Sequence, residues 1–305
     1  MYEKDFKSVD KIDLNLDYYK GMDEYSDGDI EDYILELVKN VADFDAVIKA
    51  DNRWPVLYHL SSVRQNLLHA FEFEKNESVL EIGAGCGALT GLLCDKFTQV
   101  TAVELSKRRG EIIAYRNRGR KNLEIIIGNL NDIELEKKFS VITLIGVLEY
   151  AGKYTKSQSP YKDFLSYVKS LLKPDGQLIV AIENRYGLKY WAGFREDHLG
   201  KYFASLEGYD ESLKVKTFGR LELETLLNEA GFSKLNFYYP FPDYKLPTKV
   251  FSEEYSMFKD EFDMIFANYD MDRVKLFDEI KVIRNLVSEN QLDFFSNSFL
   301  IFAYI

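Results

Sequence analysis

From Ser78 onward the chain alternates between short apolar runs and stretches with an apolar residue every third or fourth position. The runs "SVLEIG" (78–83), "QVTAVEL" (99–105), "LEIIIGN" (123–129), "FSVITLIGVLEY" (139–150) and "GQLIVAIEN" (176–184) predict strands. Between them "GALTGLLCDKF", "SKRRGEIIAYRNRG" and "SPYKDFLSYVKSLLK" carry helical spacing. Such alternation, with nearly continuous apolar strands, predicts a parallel sheet covered by helices on both faces.

Outside that region the pattern changes. Residues 1–50 are acidic and aromatic, and "DGDIEDYILELVKNV" predicts a helix entered through Asp caps. "WPVLYHLSSVRQNLLHAF" predicts a further helix with Leu57, Leu60, Leu67 and Leu68 on one face. After Asn184 the stretch "RYGLKYWAGFREDHLGKYFASLEGYDESLKVKTFG" has neither period and is rich in Gly, aromatic and charged residues, as binding loops are. A helix "RLELETLLNEAGF", a strand "KLNFYYPF" and a last strand "NSFLIFAYI" follow, with an acidic, helical stretch before the last. The two late strands are expected to pair antiparallel at an edge of the sheet. The domain reading is an amino-terminal helical cap (1–70) and a cofactor-binding domain (71–305), with an active-site insertion at 184–218 and a helical insertion at 246–291.

Composition narrows the classes. The chain has 305 residues, 46% of them hydrophobic, with 21 Tyr, 22 Phe and 6 Pro, enough for a real core and against long disorder. A formal net charge of −11 argues against a broad nucleic-acid surface. Its densest basic run, Lys107 to Arg120, is read as a solvated helix face. The 2 cysteines, Cys86 and Cys94, are read as small buried side chains of one helix. No apolar run is long enough to span a bilayer. A cytoplasmic protein is expected, and the sequence sets no oligomeric state.

The glycines in "SVLEIGAGCGALTG" admit two readings. Gly83, Gly85 and Ala88 spell the G-x-G-x-x-A form of a dinucleotide fingerprint, which would make the chain a dehydrogenase. Glu81 with Gly83, Gly85 and Gly87 spells E-x-G-x-G-x-G. A carboxylate at Glu81 would repel a pyrophosphate, whereas a ligand with an ammonium group and no phosphate would tolerate it. The extra Gly87 and the late strand pair favour the second reading too. Glu104, about twenty residues downstream, suits ribose hydroxyls under either.

The ordered set "YHLSSVRQN", "VLEIGAGCGALTG", "LIGVLEYAG", "LKPDGQLIVAIENRYGLKYWAG", "EDH", "GRLELETLLNEAGF" and "YYPFPDYKLP" resembles class I S-adenosylmethionine-dependent methyltransferases, in particular bacterial enzymes associated with surface-polysaccharide biosynthesis. The resemblance implies an α/β fold: a doubly wound, mostly parallel seven-stranded sheet with an antiparallel last strand. It implies S-adenosylmethionine as cofactor. Gly83, Ala84, Gly85 and Gly87 would approach its methionine and ribose parts, and Glu81 its amino group. Glu104 would hold the ribose, Leu105 would lie against the adenine, and the Leu130 N–H would face the ring. Asn129 stands where the family commonly has Asp; its amide oxygen would accept from the adenine amine, with Asp132 as substitute. Gly146 and Val147 would line the methyl side. Arg64 and Asn66 are read apart from the resemblance as holding the cofactor carboxylate or a glycan phosphate, with surface pairing to Glu as the rival reading.

For the acceptor the resemblance implies a sugar hydroxyl of a surface glycan or its activated precursor, whose proton a base must take. Among the 3 histidines, His198 in "REDHLG" is the expected base, with Asp197 or Glu196 to orient it and Glu149 and Tyr150 nearby. A loop-closing hydrogen-bond cluster is the rival reading of "EDH". His59 and His69 are read as structural. No metal is expected, because "EDH" alone supplies too few ligands. Two other functions stay open: a catalytically silent cofactor-binding partner of a glycan-assembly enzyme, docking through the acidic segment 252–291, and a methyltransferase acting on another small molecule.

Overall fold

A computed structural model describes residues 6–9, 12–74, 77–210, 212–254, 262 and 273–305. The chain divides into two compact units, Met1–Leu144 with Leu171–Gln177, and Ile145–Ser170 with Leu178–Ile305.

The first unit holds strands β1 (Phe6–Val9), β2 (Ile12–Asn15), β3 (Ser78–Ile82), β4 (Gln99–Glu104), β5 (Leu123–Ile127) and most of β6 (Phe139–Ile145). They lie in the order β1-β2-β5-β4-β3-β6. β3, β4, β5 and β6 run parallel, β2 joins β5 in parallel, and β1 folds back antiparallel on β2. Val79, Leu80, Ile125, Ile127, Val141 and Ile142 are fully buried, as expected for strands covered on both faces. Each such side chain contributes about 1.5–3 kcal/mol.

The helices of this unit are α1 (Ile30–Asn40), α2 (Phe44–Ala50), α3 (Trp54–Leu60), α4 (Asn66–His69), α5 (Thr90–Lys96) and α6 (Lys107–Arg116). α5 links β3 to β4 and α6 links β4 to β5. Because the chain moves one way from β3 and later returns to its other side at β6, the carboxyl end of β3 is a topological switch point, where such sheets bind ligands. The expected cap is no separate body: Ile34, Leu35, Val38, Val56 and Leu60 share one buried cluster with Cys86 and Ile112.

The second unit contains the end of β7 (Leu172–Glu183), β8 (Lys234–Phe241), β9 (Lys249–Ser252) and β10 (Ser298–Tyr304), in the order β7-β10-β8-β9. β10 and β8 are antiparallel, as the late apolar runs predict, and β9 adds a further antiparallel strand beyond β8. Its helices are α7 (Ala151–Tyr154), α8 (Pro160–Ser170), α9 (Leu188–Trp191), α10 (Ala204–Glu207), α11 (Arg220–Glu229), α12 (Glu279–Ser288) and α13 (Leu292–Phe295). α11 packs on α8.

The doubly wound, mostly parallel α/β expectation holds, with β1, β2 and β9 beyond the seven strands foreseen. Other details differ. Asp29 makes no side-chain cap for α1; instead Glu31 reaches back to Ser26 and to the Asp27 N–H. The single helix expected at 54–71 breaks at Ser61, whose extended backbone starts a 3-10 turn that its own hydroxyl caps. Cys86 lies in the glycine turn and only Cys94 in α5, both buried free thiols. Residues 249–252 are strand, α12 is helical as expected, and 255–261 and 263–272 of the proposed helical insertion lie outside the described residues. Among the described residues no helix is long and apolar enough to cross a membrane.

Candidate active site

At the carboxyl end of β3 the chain turns through Gly83, Gly85 and Gly87, whose φ values of +69°, +56° and +72° favour glycine. The turn is tied to β4 by Gly83 and Ala84 N–H groups donating to the Val103 carbonyl. A Cβ on Gly85 would meet nothing within 4 Å, so the turn faces open space there. A Cβ on Gly87 would stand 3.2 Å from the Ile113 side chain. Gly87 therefore lets α6 pack closely on the turn.

Four ionisable groups surround this turn, among them Arg116, which donates to the Cys86 carbonyl at 2.7 Å. Glu104 accepts from Gly85 N at 2.8 Å on one oxygen, and from Leu105 N and Ser106 N at 2.9 and 3.1 Å on the other. Burial raises its carboxyl, against the Arg109 charge and these donors. Glu81 is buried inside β3 and accepts from the Thr90 hydroxyl at 2.6 Å. Burial, opposed by that hydrogen bond and aided by Glu104, pushes Glu81 up to about 7. Arg64 is buried with its guanidinium 3.9 Å from the centre of the Tyr58 ring, and its Nε and Nη1 have no hydrogen-bond partner among the described residues.

The adenine-side expectations fare less well. Asn129 spends its amide oxygen on the N–H and side-chain amide of Asn131, so it has no lone pair left for an adenine amine. Asp132, the substitute, pairs with Lys20 at 2.6 Å. Leu130 is buried in the same 3-10 turn, and Leu105 is half-buried.

Sequence reasoning overlooked the segment just before α1. Asp23 accepts from Ser106 Oγ and Lys107 N at the start of α6, and Tyr18 packs so closely on Gly128 that a Cβ there would clash. His59 bonds Asp27 at 2.8 Å, and Arg109 bonds Glu31 and Asp27, in keeping with a structural role for His59. His69 is exposed at the end of α4.

A second site is built wholly within the other unit. Gly146, at φ +69°, donates its N–H to Ala181 of β7, and a Cβ there would meet the Tyr244 hydroxyl at 2.8 Å. Val147 leads from it into a 3-10 turn that buries Glu149 and carries Tyr150. Glu183 ends β7, fully buried. His198 lies on the loop 195–202, closed at its base by a bridge between Arg195 and Tyr202. One carboxylate oxygen of Glu196 accepts from His198 N and Leu199 N at 2.9 and 2.6 Å, and the other from the Tyr209 hydroxyl. Glu196 thus closes the loop, while Asp197 faces elsewhere: Lys189 at 2.8 Å, the Tyr190 hydroxyl at 2.6 Å, and Lys245. Asp197 makes no hydrogen bond to the His198 ring, so its expected orienting role falls instead to Glu196 on the backbone and to Tyr150, whose hydroxyl is 3.1 Å from Nδ1.

His198 Nε2 is 3.7 Å from Glu183 Oε2, an ion-pair distance. One ligand atom from each of Glu149, Glu183 and His198 lies within 4.8 Å of the others. Glu149 Oε2, Glu183 Oε2 and His198 Nε2 are buried without a hydrogen-bond partner among the described residues. The other Glu183 oxygen meets Lys245 at 2.7 Å and the Tyr244 hydroxyl at 3.3 Å. Burial, then the Glu183 charge, pushes Glu149 up to about 8. Burial would raise Glu183 too, but Lys245 holds it well below the usual carboxylate range. Burial would lower His198, yet the charges of Glu183 and Glu149 outweigh it and carry the imidazole up to about 9. Glu183 and Lys245 escaped the sequence reading. The signal for Glu183 was a lone charge closing the apolar run "LIVAIE"; Lys245 in "PFPDYKLP" carried none.

A family model described as a methyltransferase domain matches residues 57–236. An uncharacterized methyltransferase of Staphylococcus carnosus is 28% identical over 205 residues, 65% of this chain and 90% of that protein. A malonyl-[acyl-carrier protein] O-methyltransferase of Priestia megaterium is 30% identical over 117 residues, 37% of this chain and 39% of the relative. Among solved structures, phosphoethanolamine N-methyltransferase 1 of Haemonchus contortus, in complex with phosphoethanolamine and S-adenosylhomocysteine, aligns with TM-score 0.49 and 14% identity over 91% of this chain and 48% of that one. That likeness is too low to carry an argument. The chain spans nine-tenths of the first relative and less than half of the other two.

Proposed function

The chain belongs to the methyltransferase-domain family, and on that premise we propose that it methylates a sugar hydroxyl of a surface glycan or of its activated precursor. S-adenosylmethionine is the cofactor, and it supplies a methyl carbon activated by a sulfonium. The first unit fits this group. The buried guanidinium of Arg64, with two nitrogens free of hydrogen bonds, suits its carboxylate, Glu81 suits its ammonium, and the open space over Gly85 admits a ligand close to backbone. Glu104 has one acceptor position left beside its three backbone donors, enough for one ribose hydroxyl. The carboxylate at Glu81 argues against the dehydrogenase reading.

The observation that carries the acceptor reading is the buried trio of Glu149, Glu183 and His198 with its unpartnered atoms. His198 serves as base in its deprotonated form: a hydroxyl entering there donates its hydrogen bond to the free Nε2, which takes the proton as the oxygen is alkylated, so turnover rises with pH towards about 9. Tyr150 and Glu196 hold the ring and its loop in place. Tyr202 and Phe203 follow the His198 loop directly and are each 40% exposed, and Trp191 in the same insertion is 44% exposed; such faces suit the C–H surface of a sugar. Phe203 is held at φ +59°, a strained conformation of the kind that collects at ligand sites.

The test is incubation with methyl-labelled cofactor and a panel of sugar nucleotides and polysaccharide fragments. Label should appear on a sugar oxygen, and His198→Ala should lower turnover about 100-fold or more, with cofactor affinity unchanged. Transfer confined to a small metabolite, a protein or RNA would overturn the sugar reading.

A further inference from the structure

We propose that Glu149 and Glu183 hold a hard divalent cation, of the magnesium or manganese kind, through Glu149 Oε2 and Glu183 Oε2, beside His198. Both carboxylates are buried, at 1% and 0% exposure, and neither of these oxygens accepts a hydrogen bond among the described residues, the nearest cation to Glu183 Oε2 being His198 Nε2 at 3.7 Å. Buried acceptors of this kind are ordinarily satisfied, so two carboxylates with an unpartnered oxygen each, in residues that bring one ligand atom apiece within 4.8 Å of one another, mark the place of a positively charged group. The surrounding balance has the same sign. The five carboxyls of Glu149, Glu183, Glu196, Asp197 and Asp243 are met by three cations, Lys189, Lys245 and the His198 imidazole, and both lysines already face Asp197.

The chemistry of the donor set selects the class of ion. Two monodentate carboxylates and no thiolate suit a small hard cation, which is commonly bound by one or two carboxylates with water and substrate oxygens completing its shell. Lys245 and the Tyr244 hydroxyl on Glu183 Oε1 hold that carboxylate in position and leave Oε2 to the ion, as outer partners of metal ligands do. Adjacent oxygens of a sugar would occupy the open positions. The ion would fix the acceptor and acidify its hydroxyl, and His198 would remain the proton acceptor. This inference deepens the acceptor reading and rests on it for the role of the ion, but binding can be measured with no acceptor present.

The experiment uses the full chain, freed of metal with a chelator and titrated with manganese chloride while the free-ion electron paramagnetic resonance signal is followed. One manganese per chain is expected, displaced by excess magnesium. Affinity should fall at least tenfold in Glu149→Gln and in Glu183→Gln, with cooperative melting and S-adenosylmethionine binding kept as evidence of folding. Glu149→Gln decides the matter should Glu183→Gln fail to fold, because its carboxylate has no ion-pair partner to lose. Absence of stoichiometric binding at millimolar manganese, or binding unaltered in Glu149→Gln, overturns the inference. Sugar methylation at full rate in chelator would also overturn it while leaving the acceptor reading intact. Carboxylate-dependent manganese binding without any sugar methylation would uphold the ion and reject the sugar.

Discussion

Glu81 is a carboxylate inside an apolar strand, and burial holds it up to about 7 where an ordinary glutamate titrates near 4.5. Between those values the folded chain keeps a proton that the unfolded chain has released. The cofactor's ammonium favours the ionised form, so binding expels that proton and tightens as pH rises towards 7. Calorimetry between pH 5.5 and 7.5, where an α-amino group is still mostly charged, should show affinity roughly five- to tenfold weaker at pH 6 than at 7.5. Glu81→Gln should abolish the trend, and a flat wild-type profile would separate Glu81 from the ammonium. Arg64 offers the complementary case. Its guanidinium is buried and lacks partners at two nitrogens. Arg64→Met should leave the melting temperature of the ligand-free protein nearly unchanged, since removal of two buried donors without partners offsets loss of the stacking on Tyr58. Loss of a charged hydrogen bond should weaken cofactor binding about 10- to 100-fold. Unchanged binding would move the carboxylate elsewhere.

At the scale of elements, the turn between β3 and α5 separates two jobs that its glycines share in the sequence. Gly85 at φ +56° looks onto open space, and Gly87 at φ +72° lies against Ile113 of α6. Gly85→Ala should therefore cost about 1–2 kcal/mol of backbone strain and show its main effect on cofactor affinity. Gly87→Ala should lose more stability, because strain adds to overlap with α6, and urea denaturation of the two variants measures the difference. The motif announced the need for glycine but not its cause, since α6 begins about twenty residues away. The same limit explains Asn129. Its position in "GNLND" suited an adenine contact, and its capping of the following turn became visible only with the backbone traced.

At the scale of the molecule, the amino-terminal segment is part of the first unit's core and not an appended cap. Ile34, Leu35 and Val38 pack with Cys86 and Ile112, and Arg109 depends on Glu31 and Asp27 for its partners. Each of those three side chains contributes about 1.5–3 kcal/mol, and together they approach the whole 5–15 kcal/mol stability of an ordinary domain. Removal of residues 1–43 should thus abolish cooperative thermal unfolding, as read by circular dichroism, and not leave a trimmed active core. A truncated chain that melts sharply and binds cofactor would show the segment to be dispensable.

The strands and helices from Ser78 onward, the glycine turn, Glu81, Glu104 and the antiparallel late strands were all legible in the sequence, because periodicity, turn chemistry and the ends of strands are local properties. β1 and β2 were not, since β2 owes its place in the sheet to a distant neighbour, β5, and β1 joins the sheet through β2. The Glu149–Glu183–His198 trio belongs to the same class. Its members come from a turn after β6, the end of β7 and a loop beyond it, and what makes them chemically distinct is mutual distance and loss of water. Neither is encoded in the spacing of the residues along the chain; both arise only when the backbone brings three charges together and buries them.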